Sequence, residues 1–326
     1  MIISKTPLRI SFVGGGSDMA SFYQHEPGAV VSTTINKYVY IAVNKKFDDA
    51  IRLSYKETEN VPDISKLKHN IARETLRFLK IKQGIEISSI GDIPAETGLA
   101  TSGAYTVGLL NALITYQGKR MTAEELARNA SIIEIEKVGR PIGKQDQYVE
   151  AYGGLNYIQF NPNGSVKVVP IKLTPAKKKK LQSHLLLFYT GYVASSAKVL
   201  SKQKQIMAKQ IDKRAIMSQM VGLAKTLKKE LQKGNIDSFG KLLHENWLLK
   251  KKMAGGITNR KIDEWYEQAI KNGAIGGKIC GSGGRGFLLL YAPPLSHKKI
   301  NAALSELQQV DFSFEEKGST IIYNQA

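Results

Sequence analysis

The chain has 326 residues, 42% of them hydrophobic and 23% charged, with a formal net charge of +19 and a single cysteine. This length supports one large or two moderate domains with proper cores, and the composition is that of a soluble globular protein. An internal disulfide is excluded, and so is a membrane-spanning helix, because no apolar run approaches about 20 residues.

The first residues, Met-Ile-Ile-Ser-Lys-Thr-Pro, lack a signal peptide's basic start and apolar middle, which with the lone cysteine leads to the expectation of a cytoplasmic protein. The positive charge invites nucleic acid, whose phosphates are neutralised by Lys and Arg. The lysines, however, are spread over most of the chain, and the densest run, residues 177–180 after Pro175, reads as a solvated loop or helix start. An anionic small substrate is therefore the expected partner, ahead of nucleic acid.

Residues 2–4 and 9–13 read as short strands split by Pro7. Gly14-Gly15-Gly16-Ser17-Asp18 follows, where three glycines permit close approach to a ligand and Ser17 could cap a short helix from Asp18 to Tyr23. Asp18 fits equally as a helix-start acid. Runs 30–34 and 38–44 read as two strands around Asn36-Lys37, followed by a strand near 51–55 and a helix from about 69 to 79. The strand at 85–90 feeds the central stretch, Ile93-Pro-Ala-Glu-Thr-Gly-Leu-Ala-Thr-Ser-Gly-Ala104, and a helix is expected from about Ser102. Small and hydroxyl residues at its first turn leave free N–H groups and the positive dipole end open to an anion. A triphosphate is the natural guess, although the lysine-bearing Walker loop is absent.

Thr122-Ala-Glu-Glu125 is a capping box opening a helix toward Lys137, with Glu134 and Glu136 on different sides. The polar turn Pro141-Ile-Gly-Lys-Gln-Asp-Gln147 reads either as plain surface or as a catalytic loop. A hairpin is expected from 155–160 and 166–171 around Asn161-Pro-Asn-Gly164, and a domain boundary near 175–182. Beyond it come a buried strand at 185–190 and a largely helical run from about 195 to 252. Strand 286–291, helix 296–308 and strands near 310–315 and 319–323 are then expected to close a second α+β unit.

A second glycine loop, Lys278-Ile-Cys-Gly-Ser-Gly-Gly-Arg-Gly286, contains Gly-x-Gly-x-x-Gly, but a strand follows it, so it is not a dinucleotide fingerprint. Nor is it a protein-kinase glycine loop, since His-Arg-Asp and Asp-Phe-Gly are absent. Cys280 fits tight packing beside a turn better than a reactive thiol. The five histidines show no zinc spacing and suggest no hydrolase triad.

Pro7–Asp18, Pro94–Ala104 and Lys278–Gly286, in that order and with Gly143-Lys-Gln-Asp-Gln147 between the last two, resemble the signatures of the GHMP small-molecule kinases. Within that superfamily the first motif and Pro-Ile-Gly-Lys-Gln-Asp-Gln-Tyr look most like manno-heptose 7-phosphate kinases, which phosphorylate the anomeric hydroxyl of a sugar phosphate. The resemblance implies a two-domain α+β fold, with a ribosomal-protein-like N-terminal domain over 1–178, a ferredoxin-like C-terminal domain over 179–326, and the active site in the cleft between them. It implies ATP and Mg²⁺, with Pro94, Thr97, Gly98, Leu99, Ala100, Thr101, Ser102, Gly103 and Ala104 around the nucleotide and Ser102 and Glu134 on the metal. Asp146 would be the catalytic acid-base group, with Arg9 keeping its surroundings electropositive. Asp18, Gly16, Lys144, Gly283, Gly284 and Arg285 would meet the sugar phosphate, with Arg140 a further cation for its phosphate. A homodimer is allowed. The alternatives are a fucose- or galactose-type kinase of the same superfamily, or a non-catalytic basic binding protein on the same fold. Ala100 stands where the family usually has glycine; a positive φ there would cost an alanine on the order of 1 kcal/mol.

Overall fold

The computed structural model describes residues 1–191, 201 and 211–325. Its first part runs β1 (Ile2–Val13), α1 (Ala20–Tyr23), β2 (Gly28–Lys45), β3 (Ile51–Ser54), β4 (Thr58–Val61), α2 (Asn70–Phe78), β5 (Ile85–Gly91), α3 (Thr101–Tyr116), α4 (Ala123–Ser131), α5 (Gln145–Tyr152), β6 (Leu155–Phe160), β7 (Val166–Pro170) and α6 (Pro175–Ser183). The second contains β8 (Leu185–Tyr189), α7 (Ile211–Gln232), α8 (Phe239–Lys251), α9 (Arg260–Lys271), β9 (Gly276–Ile279), β10 (Phe287–Tyr291), α10 (His297–Ala303), β11 (Gln308–Gln309), β12 (Phe314–Glu315) and β13 (Thr320–Asn324).

Neither of the first two strands breaks where the sequence suggested. β1 and β2 pair antiparallel from Ile2 opposite Val43 to Val13 opposite Val31, and Pro7 sits inside β1 at a register shift. Pro7 faces Tyr38 while Leu8 faces Ile35, so Asn36 and Lys37 form a bulge in one long strand instead of a turn between two. A residue without an N–H is tolerated at such an irregularity. The length of β2 lets it pair β6 through 28–33, β12 through 34–35 and β5 through 39–45. β4, a short polar strand, gave no alternating apolar signal.

α3 is buried continuously from Gly103 to Ile114, which its apolar character on all sides requires. It lies on the sheet, where Ser4 Oγ donates to the Gly108 carbonyl at 2.8 Å. The Thr122 capping box forms as read: Glu125 N–H donates to Thr122 Oγ1 at 3.2 Å and Thr122 N–H to Glu125 Oε2 at 2.7 Å. The helix then widens into a π-helical turn at Ile132–Lys137, leaving Glu134 fully buried and Glu136 exposed. Ser17 caps no helix. Its hydroxyl donates to the Gly14 carbonyl and accepts from Ala29 N–H, and α1 begins only at Ala20.

The second sheet is ordered β11-β8-β10-β9 and is joined by α7 to α10. The helical run expected from 195 lies outside the described residues, apart from 201, until 211. α9 was not foreseen, although Asn259 caps it through Ile262 N–H and Ile262, Trp265, Tyr266 and Ala269 recur on its buried face. α10 is shorter than the expected 296–308. The last strands do not close this second unit: β12 pairs β2 and β13 pairs β1, so residues 314–324 return to the first sheet. The two halves share one core, with Phe12 of β1 packing edge-on against Phe239 of α8 at 4.9 Å between ring centres.

Candidate active site

A cleft of about 1040 Å³ lies between the two halves, walled by the β1–α1 glycine turn, the loop before α3, the start of α5, α8 and the second glycine loop. The loop after β5 is folded by Thr97, whose hydroxyl donates to the Pro94 carbonyl at 3.0 Å. It is pressed against the second glycine loop backbone to backbone. A Cβ at Gly98 would come within 2.6 Å of the Cys280 carbonyl oxygen, and one at Gly281 within 2.7 Å of Gly98 Cα. Ala100 ends the loop at φ 67°, in the left-handed region, so the strain anticipated for an alanine there is present.

α3 then starts with no side-chain cap and no acid in its first turn. The first N–H groups of a helix have no intrahelical acceptor. Here that end belongs to the cleft wall, with Ala100, Thr101 and Ser102 lining it. Of the residues assigned to a nucleotide, Pro94, Gly98, Ala100, Thr101 and Ser102 face the cleft. Thr97, Leu99, Gly103 and Ala104 are buried behind it and shape the loop.

Asp146 stands in the first turn of α5, against the first turn of α3: a Cβ at Gly103 would lie 3.0 Å from Asp146 Cβ. Arg9 reaches it from β1 with Nε at 2.8 Å and Nη2 at 2.7 Å, and Gln145 Nε2 adds a bond at 3.2 Å. All three donors meet Oδ1. Among the described residues Oδ2 has no hydrogen-bond partner, and Asp146 lines the cleft with 27% of its side chain exposed. Arg9 is itself 4% exposed and is held by a further bond to the Gly98 carbonyl, which ties the acid to the nucleotide-side loop.

Three more carboxyls surround this point. Asp18 faces the cleft but is 6% exposed, with Oδ1 accepting from Gly16 N–H and Oδ2 from Gln145 N–H. It therefore holds the glycine turn against α5, and burial, followed by the nearby Asp146, raises its pKa. Glu134 is fully buried and outside the cleft wall, bonded by Arg140 and by Gln147 Nε2 at 2.7 Å. Burial raises its pKa despite the Arg140 charge. Glu150, one turn beyond Asp146, was not singled out from the sequence. It is fully buried, neither oxygen has a partner, and burial plus the Asp146 charge holds its pKa well above the usual carboxylate range. Its spacing of four from Asp146 was the available signal.

The cations differ from those expected. Lys144 turns away, its ammonium bonded to the Gly164 carbonyl at 3.1 Å and set over the Tyr23 ring. Arg140 reaches the cleft wall but is committed to Glu134. Arg285 lines the cleft near Glu96, with Nη2 buried and unpartnered; burial lowers its pKa. Gly283 lines the cleft and Gly284 does not, and both pack on backbone, at Ile257 and Gly256, so their lack of a side chain has a structural cause. Lys250 and Lys278, which the sequence reading passed over, are buried in the cleft wall at 5% and 3% exposure. Cys280 is buried and its thiol pushed up to about 11, in keeping with a packing role.

Of the expected metal pair, Ser102 lines the cleft, while Glu134 is fully buried, bonded to the cleft-lining Arg140 and set beside Thr106, one turn further along α3. Among the described residues there is no group of three or more His, Cys, Asp or Glu able to hold a metal. Mg²⁺ in phosphoryl-transfer sites takes many of its ligands from phosphate and water, so a small protein ligand set does not argue against it. Nor is any helix among the described residues long and apolar enough to cross a membrane.

Models of two domains match the chain, "GHMP kinases N terminal domain" over residues 66–154 and "GHMP kinases C terminal" over 227–310. Together they span more than half of it. The chain belongs to the GHMP kinase family. It is thus a phosphotransferase with an alcohol as acceptor, and its α+β architecture is the GHMP kinase fold. This GHMP kinase is 28% identical, over 97% of both chains, to a D-glycero-alpha-D-manno-heptose 7-phosphate kinase of Campylobacter jejuni. A galactokinase of Pyrococcus furiosus is 23% identical over 97% of this chain and 96% of its own length. Among solved structures, that of a D-glycero-D-manno-heptose 1-phosphate kinase from Bacteriodes thetaiotaomicron superposes over the whole of both chains with a TM-score of 0.81 and 25% identity.

Proposed function

We propose that this GHMP kinase transfers the γ-phosphoryl group of ATP to the anomeric hydroxyl of a sugar phosphate, most specifically a D-glycero-D-manno-heptose 7-phosphate. The observation that carries the reading is the arrangement of Asp146: one carboxylate oxygen fixed by Arg9 and Gln145, the other turned free to the cleft, beside the uncapped start of α3. Phosphoryl transfer asks little covalent chemistry of a protein and much positioning and charge stabilisation. The N–H groups at the start of α3 hold the anionic oxygens of the donor, and the glycine contacts between the two loops keep that wall rigid. Asp146 Oδ2 accepts the hydrogen bond of the attacking hydroxyl, orienting its lone pair toward the phosphorus and taking the proton as the new O–P bond forms. Arg9 keeps the neighbouring oxygen paired so that the carboxylate cannot rotate away. The similarity to heptose phosphate kinases over the full length supports the sugar; the single buried cysteine supports a reducing compartment, the cytoplasm.

ADP release is measured with Mg-ATP and a panel of heptose 7-phosphate, the unphosphorylated heptose, fucose and galactose. Turnover is expected with heptose 7-phosphate and loss of most of it when the phosphate is absent. Equal or better turnover of a free sugar would overturn the assignment.

A further inference from the structure

Two ammonium groups enter the cleft from the second half of the molecule. Lys250 projects from α8 and donates to the Gly15 carbonyl at 2.9 Å, lying so close to the glycine turn that a Cβ at Gly16 would come within 3.2 Å of Nζ. Lys278 projects from β9 and donates to the carbonyls of Ser11 at 2.8 Å and Phe12 at 3.4 Å. Each ammonium has three donors, and these bonds leave at least one of them unused on each. Among the described residues no carboxylate lies within ion-pair distance of either lysine, although Asp18 acts on Lys250 from further off, while Arg9 nearby is paired directly with Asp146. A buried charge without a counter-charge is costly and rare in a folded protein. The imbalance shows in both groups: burial lowers Lys250 to about 8, against the pull of Asp18, and Lys278 to about 7, with Lys250 and Arg9 adding repulsion and Cys280 offsetting it.

A cavity wall holding two desolvated ammonium groups, neither within ion-pair distance of a carboxylate, is organised for an anion that comes from outside and favours their charged forms. We propose that Lys250 and Lys278 together bind the non-transferred phosphate monoester of the sugar substrate, making them the residues that select a phosphorylated over a free sugar. This rests on the sugar-phosphate reading above and replaces the surface cations Lys144 and Arg140 as the anchors. The monoester's oxygens accept from the unused donors of both lysines, and its charge supplies the missing counter-ion. Because the carbonyls of the β1 end and the glycine turn hold the ammoniums in place beforehand, little side-chain entropy is lost on binding.

The test uses the full chain, with ADP release for heptose 7-phosphate and for the unphosphorylated heptose, and calorimetry for Mg-ATP. Lys250→Met keeps an unbranched apolar side chain and removes the charge. Loss of a charge-assisted hydrogen bond is expected to raise KM for the phosphorylated sugar about ten- to hundredfold. The turnover number and Mg-ATP affinity should stay within a few-fold, and the preference over the free sugar should collapse. Lys278→Met should give the same selectivity change, which guards against a folding defect peculiar to one variant. Lys250→Arg should recover part of the preference. Equal losses on both sugars, or a matching loss of nucleotide affinity, would show that the lysines only fasten the glycine turn, and would overturn the proposal. If the wild-type enzyme shows no preference for the phosphorylated sugar, the substrate reading fails. Inorganic phosphate, as competitor of the sugar, then decides on the lysines: inhibition lost in Lys250→Met upholds the anion site, and inhibition unchanged removes it.

Discussion

The two walls of the cleft are made from different materials. The donor-side wall is mostly backbone: an uncapped helix start, a loop pressed onto a second glycine loop, and an alanine held at positive φ. The opposite wall is made of side chains, with Asp18, Lys250 and Lys278 removed from water and fastened to main-chain groups. Backbone N–H groups do not titrate in the working range, so the first wall's own donors should act on phosphate with little regard for pH. The second wall is titratable and should respond to it. Asp146 sits at the seam, with Arg9 bonded both to it and to the donor-side loop.

The largest expected effect lies at that seam. Asp146→Asn keeps the shape of the group and removes its ability to take a proton, and a drop in turnover of about 10²- to 10⁴-fold is expected, with Mg-ATP affinity largely retained. Single-turnover kinetics beside nucleotide titration would check this; a fall in affinity as large as the fall in rate would erase the proposed division of labour between the walls.

Next comes the pH dependence of the side-chain wall. Because Lys278 and Lys250 titrate near 7 and 8 when folded, below the ordinary lysine value of 10.5, the unfolded chain holds more protons than the folded one above about pH 7. Stability from these groups is therefore gained as pH rises and lost as pH falls through their folded values. Between pH 6.5 and 8.5, melting temperatures of the ligand-free wild type relative to the Lys250→Met, Lys278→Met double variant should climb. The window stops short of Cys280, whose raised value near 11 acts in the opposite direction. A flat difference would mean the lysines are better solvated than their burial indicates.

The smallest effect belongs to the backbone wall. Ala100→Gly removes a left-handed strain of about 1–2 kcal/mol but gives the unfolded chain more freedom, so a net gain in stability of no more than about 1 kcal/mol is expected. Urea denaturation measures it. Destabilisation would instead show that the Ala100 methyl contributes packing that outweighs its backbone cost.

The backbone wall could be read from the sequence because glycines, hydroxyls and a strand-to-helix change are local signals, and Arg9 and Asp146 lie in motifs built on them. The side-chain wall could not be read in the same way. Lys250 is the first of three consecutive lysines, and nothing local separates it from Lys251 and Lys252. Only its phase on α8 does so: Phe239, Leu243, Asn246, Trp247 and Lys250 share the buried face, so a lysine recurring in an apolar stripe was the usable clue. Lys278 was hidden by the glycines around it, which drew attention to the loop and away from the short buried strand that carries it. Glu134 lies in a π-helical turn that leaves it fully buried and bonded to Arg140, a setting its place in the chain did not announce. The fold was legible in most of its helices, but β1 and β2 were cut in two by residues that make a bulge when two long strands face each other.

The return of residues 314–324 to the first sheet bears on how the molecule is made. β13 covers the outer edge of β1, and the Met1 ammonium donates to the Gln325 carbonyl at 2.6 Å. During synthesis that edge therefore stays open until residues 320–324 have emerged, offering unpaired N–H and C=O groups to other nascent chains. Completion of the first sheet waits for residues made more than 300 positions later, so loss of residues 314–324 would uncover the strand that carries Arg9.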